Sequence, residues 1–406
     1  LSQFEVRVQT IPGFADIVNG DARIEEIRDV EIEDLLGRDT VPPDKKLLDQ
    51  CIQHKSVMIT GAGGSIGSEL CRQVIARSPK TLVLYELSEI ALYTIEQELE
   101  ATNSETTLIA ILGNVQDEEL MRELMRCYEV ETVYHAAAYK HVPLVEHNII
   151  MGLKNNVFGS RAAASAAKSA GVENFILIST DKAVRPTNFM GATKRLAEQV
   201  LQDFALDKTS RTTFSMVRFG NVLGSSGSVV PLFKKQILQG GPITVTHPEV
   251  TRYFMTIPEA VQLVIQASAL SEGGDVFVLD MGQSVQIASL AKTMINLMGK
   301  SLRSDGDPEG EIGIEYSGLR PGEKLYEELL IGDNCVGTSH PKITRALESH
   351  LETNHLKSLL SSLGTATDKH QHSHVLELMK EAVPEFQSET DIHDHLFSIR
   401  ATNESI

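Results

Sequence analysis

From residue 55 onward, short apolar runs alternate with helical patterns. Val57-Met58-Ile59 leads into a glycine cluster and then into a helix-like spacing through Leu70 and Val74. Leu82-Val83-Leu84-Tyr85, Thr107-Leu108-Ile109-Ala110-Ile111, Thr132-Val133-Tyr134 and Phe175-Ile176-Leu177-Ile178 repeat the strand signal. Helix-like segments separate them. Residues 90–99 are one, and the alanine-rich 162–170, stopped by Gly171, is the plainest. The alternation predicts an α/β fold, a doubly wound parallel sheet with helices on both faces.

The rhythm is absent at both ends. Residues 1–50 have no clear period, and Ile11-Pro12-Gly13 and Val41-Pro42-Pro43 are turn signals, so this stretch reads as an arm packed on a domain. Residues 51–225 form the predicted sheet domain. Residues 226–345 loosen into Gly, Ser and Pro turns and read as a smaller lobe, with some elements returning to the sheet. Residues 346–406 form a polar, His-rich extension, and His370-Gln371-His372-Ser373-His374 reads as a solvated helix or tail, not a metal site. There is no internal repeat.

Composition narrows the function. Of 406 residues 42% are apolar, enough for a sizeable core, and the net charge of −18 argues against binding nucleic acid by charge. Cys51, Cys71, Cys127 and Cys335 form no CxxC pair, which fits a reducing compartment. No apolar run reaches the ~20 residues of a membrane span. The chain begins at Leu1, and the expectation is a fragment of a longer protein.

Thr60-Gly61-Ala62-Gly63-Gly64-Ser65-Ile66-Gly67 lies between the first strand and the first helix. Glycines there permit a tight turn and let backbone N–H groups and a helix N-terminus approach a pyrophosphate. Glu86 ends the second strand, where an acid meets an adenosine ribose. Its carboxylate repels a 2′-phosphate, and no Arg follows in Leu87-Ser88-Glu89, so NAD is expected over NADP. Asn114 and Val115 after the third strand, and Ala136-Ala137-Ala138 after the fourth, complete the expected cofactor side of a Rossmann-like domain.

Ser179-Thr180-Asp181-Lys182 ends the fifth strand, on the rim where open α/β sheets bind ligands, and Met190-Gly191-Ala192-Thr193-Lys194 opens a helix. In these stretches the chain resembles the extended short-chain dehydrogenase/reductase superfamily, whose members carry Tyr-x-x-x-Lys where this chain has Met190 and Lys194. A thioether exchanges no proton, so an ordinary Tyr-based dehydrogenase or epimerase mechanism is in doubt. Met190 itself reads equally as a packing residue that shapes the pocket.

The run from Ser179 through Ala183-Val184-Arg185-Pro186-Thr187-Asn188 resembles a narrower group, the large bacterial UDP-N-acetylglucosamine 4,6-dehydratases of the CapD-like family. Ala136-Ala137-Ala138-Tyr139-Lys140-His141-Val142-Pro143 and Arg320-Pro321-Gly322-Glu323-Lys324 match as well, and the resemblance covers roughly residues 10–335.

The resemblance implies hydride transfer from C-4 of the sugar to NAD, loss of water from C-5 and C-6, and return of the hydride to C-6. The family assigns Asp181 as acid and Lys182 as base. Both must then change protonation state, and a Lys brought from ~10.4 to ~7 costs roughly 4.6 kcal/mol. Burial and the positive charges of Lys194 and NAD were expected to lower Lys182, and burial to raise Asp181. Thr180 can relay the C-4 hydroxyl proton without being its terminal base, which leaves Asp181 or Lys182 to serve twice, and the resemblance implies that Lys194 holds the nicotinamide ribose. By resemblance Asn221, Arg252 and Arg320 contact the nucleotide diphosphate or ribose, while Lys140, His141 and Glu146 reach toward the sugar. His141 reads equally as a satisfied structural histidine.

Two other readings stand beside this one, a UDP-sugar 4-epimerase and a non-catalytic module that binds NAD or a nucleotide sugar. The resemblance further implies a homo-oligomer, with the membrane reached only through a missing N-terminal region. This chain is expected on the cytoplasmic face of a bacterial inner membrane.

Overall fold

The computed structural model describes residues 9–10, 28–29, 41–304, 306–329, 335–387 and 393–403. Most of the arm expected over residues 1–50 lies outside the described residues. Its end, the helix Lys45–Gln50, is capped by the Asp44 carboxylate, buries Leu48, and is tied to the body where Asp44 N–H donates to Gln266 Oε1 at 2.8 Å.

The strands are β1 (Ser56–Thr60), β2 (Thr81–Glu86), β3 (Thr107–Leu112), β4 (Thr132–His135), β5 (Asn174–Ile178), β6 (Thr213–Arg218), β7 (Asp275–Leu279), β8 (Cys335–Gly337) and β9 (Ile343–Ala346). They form one sheet in the order β3-β2-β1-β4-β5-β6-β7-β9-β8. The first seven are parallel, and β9 and β8 add antiparallel at one edge. This is the doubly wound Rossmann order, with its switch point between β1 and β4. β1 and β4 are buried along their whole length, which is why they read as unbroken apolar runs: both faces are covered.

One face carries α1 (Ser65–Ile75), α2 (Glu89–Glu100) and α6 (Ile257–Ala269), and the other α3 (Glu118–Cys127), α4 (Ser160–Ala170) and α5 (Phe189–Leu206). α4 ends at Gly171 in the left-handed conformation, as its alanine run followed by glycine predicts.

The end of the chain departs from the expected polar tail. In α7 (Thr353–Asp368), Leu356, Leu359, Leu360 and Leu363 form a helical stripe buried in the same core as β4 and β5. α8 (His372–Ala382) adds Val375, Leu378 and Met379 to that core. His370 and His374 are exposed, but His372 is buried and its Nε2 lies 3.1 Å from Asp394 Oδ1. A polar average concealed an amphipathic pair of helices.

The smaller lobe has its own core. The helices Val229–Leu238 and Ile287–Leu297 bury Phe233, Ile237, Leu290 and Met294 with Ile243, Val245 and Ile312. β7 returns from this part of the chain to the main sheet beside β6. The carboxyl ends of β1, β4, β5 and β6 face the lobe across a cleft.

Candidate active site

The glycine-rich turn forms one wall of a cleft of about 890 Å³. Gly67 brings α1 against the turn so closely that a Cβ there would sit 1.9 Å from the Gly61 carbonyl oxygen. Gly61, Gly64, Ser65, Ile66 and Gly67 line the cleft, as do Ala136 and Ala138. Gly63 instead donates its N–H to Glu86 Oε2 at 3.0 Å, and Glu86 Oε1 accepts from Leu87 and Ser88 N–H at 2.9 Å each. The acid thus stands at the lip of the turn, and the cradle with its carboxylate fits a dinucleotide. Ala137 packs against Gly61. Neither Asn114, which is exposed, nor Val115 lines the cleft. The Asn114 carbonyl accepts from the Tyr85 hydroxyl at 2.8 Å, and Val115 is core.

Beyond β5 the chain turns through Thr180, Asp181 and Lys182. The Thr180 hydroxyl donates to Asp181 Oδ1 at 2.9 Å, and Lys182 Nζ donates to the same oxygen at 3.1 Å. Asp181 is buried, and its Oδ2 has no hydrogen-bond partner among the described residues. Thr180 and Lys182 line the cleft. Lys182 also donates to Asn221 Oδ1 at 3.3 Å and lies 3.5 Å from Glu327 Oε1. Burial pulls its ammonium down, and Arg252 adds to that, but Asp181 and Glu327 outweigh both and the net direction is up. The expectation that Lys182 falls toward neutrality is therefore corrected: two carboxylates face it.

Burial does lower Lys194, to about 8, with Glu198 partly opposing. It lines the cleft and donates to the Ile178 carbonyl at 2.6 Å. Its folded pKa lies below its unfolded value, so the unfolded chain binds more protons between about pH 8 and 10.5, and stability rises with pH across that window. Lys194→Met removes the cost of the buried charge, offset by the lost hydrogen bond. We expect a gain of ~1–2 kcal/mol at pH 7 in urea unfolding, which shrinks above pH 9, together with loss of cofactor binding. A destabilised variant would contradict this.

Met190 is buried on the cleft wall in the first turn of α5, whose cap is Asn188 accepting from Gly191 N–H at 2.8 Å. At Gly191 a Cβ would come within 2.2 Å of the Lys182 carbonyl oxygen. Gly191→Ala must therefore push the Asp181-Lys182 turn away from the helix. The expected cost is ~1–3 kcal/mol of stability with a larger fractional loss of activity, checked by thermal melts beside turnover.

On the substrate side Lys140, His141, Asn221, Arg252 and Arg320 all line the cleft. Burial lowers the Lys140 ammonium and the His141 imidazole, and the Lys140 charge lowers His141 further. Arg252 is held by Glu323 Oε1 at 2.9 Å and the Thr251 carbonyl at 2.7 Å. Arg320 is exposed on the rim and makes no ion pair among the described residues. Glu146 turns away from the cleft. Its carboxylate accepts from Phe189 N–H at 2.5 Å, and burial raises its pKa. It holds the start of α5, so its expected reach toward the sugar is not what the structure shows.

Three contributors escaped the sequence reading. Glu327 lies just beyond the Arg320-Pro321-Gly322-Glu323-Lys324 run, which is the signal that points to it. Buried His135, at the end of β4, bonds Thr60 Oγ1 at the end of β1 at 2.7 Å and Ser160 Oγ at the start of α4 at 3.0 Å, and burial drives its pKa to about 3, so it is neutral. Ser226 of the loop after β6 donates its N–H to Ser65 Oγ at 3.2 Å, closing that loop on the glycine turn.

Residues 57–348 match the family described as polysaccharide biosynthesis protein. The capsular polysaccharide biosynthesis protein CapD of Staphylococcus aureus is 51% identical over 80% of this chain and 53% of its own length, so the chain spans about half of that relative. The UDP-N-acetylglucosamine 4,6-dehydratase (inverting) of Campylobacter jejuni is 32% identical over 69% of this chain and 78% of its own. A UDP-glucose 4-epimerase of Rickettsia canadensis is 33% identical over 69% and 79%. Among solved structures, Pen from Bacillus thuringiensis superposes with a TM-score of 0.65 at 32% identity over 74% of this chain and 90% of that one. The dTDP-glucose 4,6-dehydratase DesIV of Streptomyces venezuelae, solved with NAD bound, shares the fold at a TM-score of 0.59 and 18% identity, over 67% and 87%. No described helix is long and apolar enough to cross a membrane.

Proposed function

The chain belongs to the polysaccharide biosynthesis protein family, and from that premise we propose that its cleft converts UDP-N-acetylglucosamine to a UDP-4-keto-6-deoxy-N-acetylhexosamine. The observation that carries the proposal is the hydrogen-bonded line Thr180–Asp181–Lys182 on the cleft wall, beneath a dinucleotide cradle and beside a methionine where a proton-exchanging tyrosine would stand. NAD would be held by the 61–67 turn, Glu86 and Lys194, and would supply reversible hydride-acceptor chemistry at the sugar.

Proton movement falls to the chain's own residues. Thr180 takes the C-4 hydroxyl proton and passes its own to Asp181 over their 2.9 Å contact. Asp181 then holds the proton that departs with the C-6 hydroxyl as water. Lys182, as the amine, takes the C-5 proton and gives it back to C-5 at the end. Asn221 orients Lys182, and Arg320 and Arg252 supply positive charge for the diphosphate. The Glu86 carboxylate at the lip favours NAD over NADP, and comparative titration with the two cofactors checks this.

Incubation with UDP-N-acetylglucosamine followed by mass spectrometry tests the reading. Loss of one water supports dehydration. An isomer of equal mass would replace it with 4-epimerisation, the activity named for the Rickettsia relative. An unchanged sugar would leave a binding module. We place this chemistry on the cytoplasmic side of the membrane, where NAD and nucleotide sugars are found. Fractionation of the native protein and protease protection of this part test that placement.

A further inference from the structure

Lys182 faces more negative charge than an ion pair needs. Asp181 Oδ1 lies 3.1 Å from its Nζ and Glu327 Oε1 3.5 Å. Glu327 is buried, its side chain 4% exposed, and its Oε2 has no hydrogen-bond partner among the described residues. It stands 3.7 Å from Arg252 Nε, yet Arg252 is already satisfied by Glu323 and by the Thr251 and Leu325 carbonyls. A buried carboxylate with a bare oxygen is costly unless it has other work. The other charged groups that face this pair are Asp181 on the turn of Lys182 and Arg252 with its partner Glu323.

The base role requires Lys182 to lose a proton before C-5 is attacked. Asp181 is not free to accept it, because its vacant capacity is needed for the C-4 hydroxyl proton arriving through Thr180. We propose that Glu327 is a positioning residue for Lys182, accepting the ammonium proton across their contact and leaving an amine at the cleft wall. An N–H bond breaks on Lys182 and an O–H bond forms on Glu327, so the summed charge of the two is unchanged. Arg252 stays as the fixed cation beside them. Once C-5 has its proton back, Glu327 returns its own to Lys182. The inference rests on the dehydratase reading for its chemistry, while the Glu327–Lys182 coupling itself is a property of the chain.

The test compares wild type with Glu327→Gln and Glu327→Asp. With lysine labelled at Cε, NMR follows the Lys182 titration, assigned by its absence in Lys182→Ala. Removal of the carboxylate in Glu327→Gln is expected to shift that titration to lower pH, and an unmoved titration overturns the proposal. With UDP-N-acetylglucosamine, Glu327→Gln is expected to keep forming reduced nicotinamide while elimination falls ~100-fold. The residual rate should climb with pH further than in wild type, because solvent must take the proton, and Glu327→Asp should recover at least tenfold. Equal loss of hydride transfer and elimination with an unchanged pH profile also overturns it, since that is what a merely structural residue would give. A coupled titration in a chain that leaves the sugar intact sustains the proton exchange and overturns the dehydratase reading alone.

Discussion

Lys182→Ala is expected to oxidise the sugar at C-4 and then stop. Lys182 lines the cleft on the turn that follows β5, and among the described residues no other lysine pairs with Asp181 or Glu327. Loss of a general base typically costs ~10²–10⁴ in rate, so elimination falls by at least that while reduced nicotinamide absorbance accumulates without dehydrated product. Lys194→Ala should behave differently, weakening cofactor binding and hydride transfer together, because the proposed reading gives Lys194 the nicotinamide ribose to hold. Exchange of the C-5 proton with deuterated solvent gives an independent reading. If Lys182→Ala exchanges C-5 at the wild-type rate, Lys182 is not the base and Asp181 takes that role.

Glu198→Ala is expected to give the largest loss of stability. Glu198 is fully buried and accepts from Ser179 Oγ at 2.5 Å and from Arg218 Nε at 2.8 Å, with Arg195 Nη1 at 3.4 Å. Arg195 and Arg218, both buried, share one other carboxylate, Glu348. Truncation leaves two buried guanidinium groups with one carboxylate between them, a defect worth ~3–5 kcal/mol. Burial pushes the Glu198 carboxyl up, but Arg218 and Arg195 outweigh it and hold it below its ordinary 4.5. With the folded pKa depressed, the unfolded state takes up the proton first. The stabilisation is therefore present above about pH 4.5 and lost as pH falls through the folded value. Urea unfolding from pH 7 down to 3 should show a shallower fall for Glu198→Ala than for wild type. A variant within 1 kcal/mol of wild type at pH 7 would show that the network is not needed. Because Ser179 precedes the Thr180–Lys182 turn, the same substitution should also lower turnover.

What sequence reads well is whatever a short stretch decides for itself. The buried strands appear as apolar runs because helices cover both their faces. The 61–67 turn appears as spaced glycines because only glycine lets α1 approach the turn so closely, and Gly67 cannot carry a Cβ. Glu86, Thr180 and the Asp181-Lys182 pair are legible because each ends or directly follows a strand, and strand ends in a parallel sheet converge on one rim. The α7 and α8 helices were missed because their leucine stripe is diluted by polar neighbours, and a composition average over residues 346–406 erases a period of 3.6.

The sequence by itself thus determined the strand order's raw material, the glycine-rich turn and which side chains, Thr180, Asp181 and Lys182, stand at the end of β5. Only the tertiary structure decided their electrostatics. It set Glu327 and Arg252, from distant parts of the chain, beside Lys182 and reversed the expected direction of its pKa. It left Lys194, with burial and a single opposing carboxylate, as the amine that titrates near 8. It also took Glu146 out of the substrate group and gave it the N-terminus of α5. The physical reason is that backbone conformation depends on neighbours along the chain, whereas proton affinity depends on charges within a few ångströms, which folding gathers from anywhere in the chain.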